Sequence, residues 1–88
     1  MKKKYVYVVT IEWVNEAFDK GTEQQTFSSL KKARDFMNAE YQKDLLNYQE
    51  RFDDDYNTEV SDNCIALCEF GNYAENHIDY TIIKTEVQ

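Results

Sequence analysis

Eighty-eight residues make one domain, because chains divide into several only at greater length. Seventeen acidic against ten basic side chains leave a formal charge of −7; this excludes a general nucleic-acid binder, which needs a basic surface to release counterions from phosphates. At 42% hydrophobic and 15% aromatic residues, the chain is too apolar for a disordered acidic tail, and a folded, acidic single domain spanning 1–88 is expected.

The first predicted element is a strand over residues 4–14. Tyr5, Tyr7, Val9, Ile11 and Trp13 alternate onto one face, and Val6, Val8, Thr10, Glu12 and Val14 onto the other. Its β-branched and aromatic content suits a central strand. The lysines at 2–4 with the apolar run to Ile11 imitate a leader only faintly, since Glu12 interrupts the run and no small-residue cleavage site follows. Nothing approaches the ~20 apolar residues of a membrane span, and a cytoplasmic protein is expected. Asn15 to Gly21 reads as a polar loop holding Phe18, and residues 22–27 as a short polar edge strand.

A helix over 29–52 is the firmest expectation. Leu30, Ala33, Met37, Tyr41, Leu45, Tyr48 and Phe52 recur at steps of three and four, with Phe36 and Leu46 widening the stripe. Ser28 or Ser29 supplies the cap. Lys31 and Lys32 at the start and Glu50 with Asp53–Asp55 at the end run against the helix dipole, so core burial must hold this helix.

Asp53 to Asn63 reads as an acidic connection, Cys64–Phe70 as a third strand, Gly71–Asn76 as a turn and His77–Val87 as a fourth strand. The expected fold is α+β, ββαββ, a four-stranded mainly antiparallel sheet in the order 2-1-3-4 with one long helix on one face. Cys64 and Cys68 are the whole thiol inventory. On a strand they would share a face ~13 Å apart, too far for a disulfide, and free thiols suit a reducing compartment.

No catalytic constellation emerges. His77 is the single histidine, no glycine-rich phosphate loop is present, and no metalloprotease or nucleophile-elbow motif occurs. No enzyme activity, cofactor or metal is expected. Asp53, Asp55 and Asn57 imitate positions 1, 3 and 5 of a calcium loop, but Thr58 stands where the turn needs glycine and Cys64 where a bidentate glutamate belongs. Lys31, Lys32 and Arg34, with the lysines at 2–4, form a basic group at the helix start that reads as an ordinary surface patch. The short proline-free chain, with Thr26-Phe27-Ser28-Ser29-Leu30 entering a lysine-rich helix start, is similar to many small bacterial and phage proteins. That likeness rests on no diagnostic motif and carries no functional residue across.

Two functional readings remain. One helix covers one sheet face, so Val6, Val8, Ala66, Cys68, Phe70 and Ile83 would form an apolar patch on the other. This implies a protein-interaction module, self-associating as a homodimer, with no direct nucleic-acid binding and no membrane. The alternative rests on charge. Residues 1–34 carry seven bases and four acids, whereas residues 35–88 carry three bases and thirteen acids. Asp44, Glu50, Asp53, Asp54, Asp55, Glu59 and Asp62 would then be the surface of an acidic, nucleic-acid-mimicking inhibitor of phage or mobile-element type, aimed at a basic partner.

Overall fold

The computed structural model describes residues 3–15, 19–71 and 75–87. Phe18 of the expected loop, the lysine at position 2 and part of the 71–76 turn lie outside them. Among the described residues the order is β1 (Lys4–Val14), β2 (Lys20–Phe27), α1 (Leu30–Phe52), β3 (Tyr56–Val60), β4 (Cys64–Glu69) and β5 (His77–Val87). All five strands join one antiparallel sheet in the order β2-β1-β5-β4-β3. The fold is therefore α+β, with one helix and a five-stranded sheet.

Two expectations are corrected together. The acidic connection contains β3, a strand the sequence reading missed, and the last strand, rather than the one at Cys64, lies beside β1. One error causes the other. The helix returns the chain so that β3 runs parallel to β2, and β4 then runs parallel to β1. Of the last two strands, only β5 has the direction needed for antiparallel pairing with β1. Omitting one strand reverses every strand after it, which yields the wrong order 2-1-3-4.

β1 and β5 are both 11 residues long and pair along their whole length, from Lys4 opposite Val87 to Val14 opposite His77. Tyr7, Val9, Ile11 and Trp13 of β1 face the side of the sheet that α1 covers. Val9, Ile11, Ile65, Leu67, Tyr80 and Ile82 from the sheet pack with Ala33, Met37, Tyr41 and Tyr48 from the helix as the buried core. Phe27 and Phe36 meet ring to ring at 5.2 Å, and Tyr41 and Tyr80 edge to face at 5.8 Å, the arrangements that ring quadrupoles favour. Ser29 caps the helix by accepting the Lys32 amide at 3.2 Å. At the other end Asp53 takes a positive φ of 53° while its amide donates to the Gln49 carbonyl. Of the expected stripe, Leu30, Leu45 and Phe52 are partly buried against the core, and Leu46 is exposed rather than part of it.

The molecule is long, measuring 51 × 22 × 16 Å with a radius of gyration of 14.5 Å, against roughly 12 Å for a compact chain of this size. Part of the length comes from an arm. β2 flanks β1 only from Tyr7 onward, and β4 flanks β5 only up to Thr81. Lys4–Val6 and Thr85–Val87 thus pair with each other and, among the described residues, with no further strand.

Candidate interaction surface

The face of the sheet away from α1 is built by register. Val8 lies between Thr26 and Ile83; Thr10 lies between Gln24 and Thr81, and Thr81 faces Cys64. In the next row Thr22, Glu12, Asp79, Ala66 and Glu59 follow one another, and beyond it Lys20, Val14, His77, Cys68 and Asn57. Among the described residues no helix covers this face.

The expected patch is divided. Val6, Val8 and Ile83 come together at the arm end, Ile83 being 57% exposed and both valines half-buried. Ala66 and Cys68 share the face but sit toward the opposite end, beyond the rows of Thr10 with Thr81 and of Glu12 with Asp79. Cys68 stands opposite His77, six positions from Ile83 and so about 20 Å along the strand. Phe70, 66% exposed, lies past the end of β4, and its amide donates to the Asp55 carbonyl. The contiguous six-residue patch is therefore two smaller ones.

β5 changes character at Ile83. His77 to Ile82 are half-buried or buried, whereas every residue from Ile83 to Val87 is exposed although still paired to β1. Tyr5 is 38% and Val87 46% exposed, and the Lys84 ammonium sits 4.2 Å from the Tyr5 ring centre. The arm thus has one largely apolar face, Val6, Val8, Ile83, Thr85 and Val87 with Lys4 at its end, and one on which Tyr5 stands beside Lys84 and Glu86.

The acidic set separates differently. Glu50, Asp53, Asp54, Asp55, Glu59 and Asp62 are exposed along the helix end, the following turn and β3. Asp44 is not one of this surface set. It is half-buried under the helix, where it accepts the Tyr80 hydroxyl at 2.5 Å, and burial holds its carboxyl above the ordinary value of 3.8. The imitation of a calcium loop fails on backbone as well as on residue type, since Asn57 and Val60 belong to paired β3. At the basic group, Lys31 is engaged with Asp35 at 2.8 Å and Arg34 with the Asn63 side-chain oxygen at 3.0 Å. His77 Nε2 lies 3.7 Å from Asp79 on the helix-free face.

A cleft of about 300 Å³ opens between α1 and the ends of β1 and β2. Trp13, Ile11 and Tyr48 supply apolar walls, and Glu23, Glu40 and Asp44 one acidic side. Glu40 is already paired with Lys43 at 2.5 Å. Residues the sequence reading did not single out hold the neighbouring helix end. Buried Asn76 donates to Glu69 at 2.8 Å and accepts from Arg51 at 3.5 Å. An asparagine just before a strand gives no sequence signal of that role.

Cys64 is exposed and Cys68 half-buried, both are free thiols, and burial pushes the Cys68 thiol up. No helix among the described residues is long and apolar enough to cross a membrane. No protein-family model, curated protein or solved structure matches the chain.

Proposed function

We propose that this chain is a small protein-interaction module that works by self-association and has no catalytic activity. The observation that carries the reading is the helix-free side of the sheet, with exposed Ile83 beside Val6 and Val8 at its arm end. Clustered β-branched side chains left outside a core that α1 already closes are what a partner's surface would bury. Two chains of charge −7 repel, but at physiological salt that repulsion is screened within about 8–10 Å and does not forbid a dimer. Light scattering or sedimentation of the full chain at tens of micromolar tests it. A particle of about twice the 10.5 kDa chain mass is expected. A monomer at every salt concentration overturns the reading.

The second reading is an acidic inhibitor of a basic nucleic-acid-binding partner. It is favoured by Glu50, Asp53–Asp55, Glu59 and Asp62 lying exposed along the helix end, the turn after it, the outer strand β3 and the bend that follows β3. Such a mimic competes with DNA or RNA for its partner and loses affinity steeply with added salt, whereas an aliphatic surface does not.

A further inference from the structure

We propose that the second copy docks along the outer edge of β5, antiparallel, about a two-fold axis through Thr85, so that the two sheets become one. This rests on the self-association reading above and specifies its partner and geometry.

The backbone phase comes first. The Ile82 amide donates to the Asn63 carbonyl on the β4 side, and the β1–β5 register runs without a bulge. In an antiparallel ladder, successive residues turn their N–H and C=O groups alternately to the two sides. Lys84 and Glu86 therefore turn theirs outward, and no described residue takes them, while Ile83, Thr85 and Val87 turn theirs toward β1. Asn63 occupies Ile82 and closes the open edge at that end. What remains is Ile83–Val87, a segment symmetric about Thr85.

Charge selects the register. A symmetric pair must set outward-facing residues against outward-facing residues. Centring on Lys84 places lysine against lysine, and centring on Glu86 places glutamate against glutamate. Centring on Thr85 alone puts Lys84 opposite the partner's Glu86, twice. That register forms four backbone hydrogen bonds and sets Ile83 against the partner's Val87, a β-branched pairing of the kind that stabilises sheets. The two Ile83–Val87 pairs lie on the helix-free face, where Val6 and Val8 of each copy stand beside Thr85 and Ile83. The arm-end patches of the two copies thereby become one apolar band, with Ala66 and Cys68 outside it.

The outer strands β2 and β3 are open edges as well. β2 is polar, and no symmetric register sets its Lys20 against the partner's Glu23 or brings two aliphatic side chains together, so it offers neither contact. The chain around β3 is acidic at both ends. Centred on Thr58 it sets Asp54 against the partner's Asp62; centred on Asn57, Asp55 against Glu59; centred on Glu59, that residue against itself. Like charges directly opposite are destabilising. On β1 the open edge is only Lys4–Val6, too short for such an interface.

A charge swap in the full chain, read by light scattering across 1–200 micromolar, tests the register. Lys84→Glu should weaken the dimer at least tenfold, because acid then faces acid twice. Adding Glu86→Lys to the same chain should restore wild-type affinity to within about threefold. Glu86→Pro removes an outward amide without removing a β1 hydrogen bond, an edge position that proline tolerates, and should leave a folded monomer by circular dichroism. Thr85→Cys, in a chain with Cys64→Ser and Cys68→Ser, should oxidise to a covalent dimer, since the axis pair stands about 4.5 Å apart at Cα. A wild-type dimer that ignores Lys84→Glu and Glu86→Pro overturns this geometry and leaves the self-association reading standing. A wild-type monomer over the whole range overturns both.

Discussion

Tyr80, at the middle of the sheet, donates its hydroxyl to Asp44 on the helix at 2.5 Å. The two residues are 36 positions apart, and their contact ties α1 to β5 across the core. The cost is a carboxylate held partly out of water. Burial raises the Asp44 pKa more than the Tyr80 hydroxyl lowers it.

Replacing Asp44 therefore has opposite effects depending on what is put there. Asp44→Asn keeps an acceptor for Tyr80 and removes the buried charge, so stability at pH 7 should hold or rise. Asp44→Ala leaves the hydroxyl of fully buried Tyr80 without its partner and should cost about 1–3 kcal/mol. The raised carboxyl contributes stability that is complete below pH 3.8 and lost as pH rises through its folded value. The advantage of the asparagine variant should accordingly grow from pH 3.5 to pH 7. Urea melts at both pH values check this, and an asparagine variant as unstable as the alanine one refutes it.

Alkali should act through two tyrosines. Burial pushes Tyr48 up to about 12 and drives Tyr80 further in the same direction, from an ordinary value of 10. Their contribution is complete below pH 10 and lost as pH rises from 10 through 12, because the unfolded chain releases these protons first. Of seven tyrosines, two should resist ionisation until the fold is lost, as followed by ultraviolet absorbance beside circular dichroism. Seven ionising together near pH 10 in a folded chain would contradict the packing described.

Along the helix, cost should follow burial rather than hydrophobicity. Met37→Ala, at a buried position, should lose about 2–5 kcal/mol. Leu45→Ala, only partly buried, should lose about half as much. Leu46 is 63% exposed, and its alanine variant should stay within about 0.5 kcal/mol of wild type. Equal losses at Leu46 and Met37 in denaturant melts would place the helix face wrongly.

Gly21 is opposite Trp13 across the β1–β2 ladder, and a methyl group there would collide with the indole ring. Gly21→Ala should displace the chain's single tryptophan and cost about 1–3 kcal/mol. Its fluorescence should shift to longer wavelength as the ring meets water. An unchanged spectrum and melt would show that the ring has another equally good position.

The helix was legible because its apolar steps of three and four continue from Leu30 to Phe52, and β1 because its alternation is long. β3 was not. Tyr56, Thr58 and Val60 form too short an alternation, set among acids, and an edge strand leaves most of its side chains in water. The sheet order was lost with it. On the surface, the shared face of Val6, Val8, Ala66, Cys68 and Ile83 was readable from strand parity. Their division was not, because distance along the sheet depends on which strands are neighbours. Asp44 misled for another reason: charge alone does not reveal that a tyrosine on the last strand, 36 positions on, will donate to this carboxylate beneath the helix.

The central pairing of β1 with β5 also sets an order in time. During synthesis β1 can form its hairpin with β2 and lie under α1, but its other edge has no neighbour until β5 has been made. For that interval Val8, Val9 and Ile11 border an unpaired strand, the kind of intermediate that recruits other chains. Closing the sheet then requires the most distant segments of the domain to meet, which slows folding relative to local pairings. The hairpin with its helix should thus be the longest-lived partly folded species, and chaperone dependence or aggregation during expression would centre on it rather than on the finished domain.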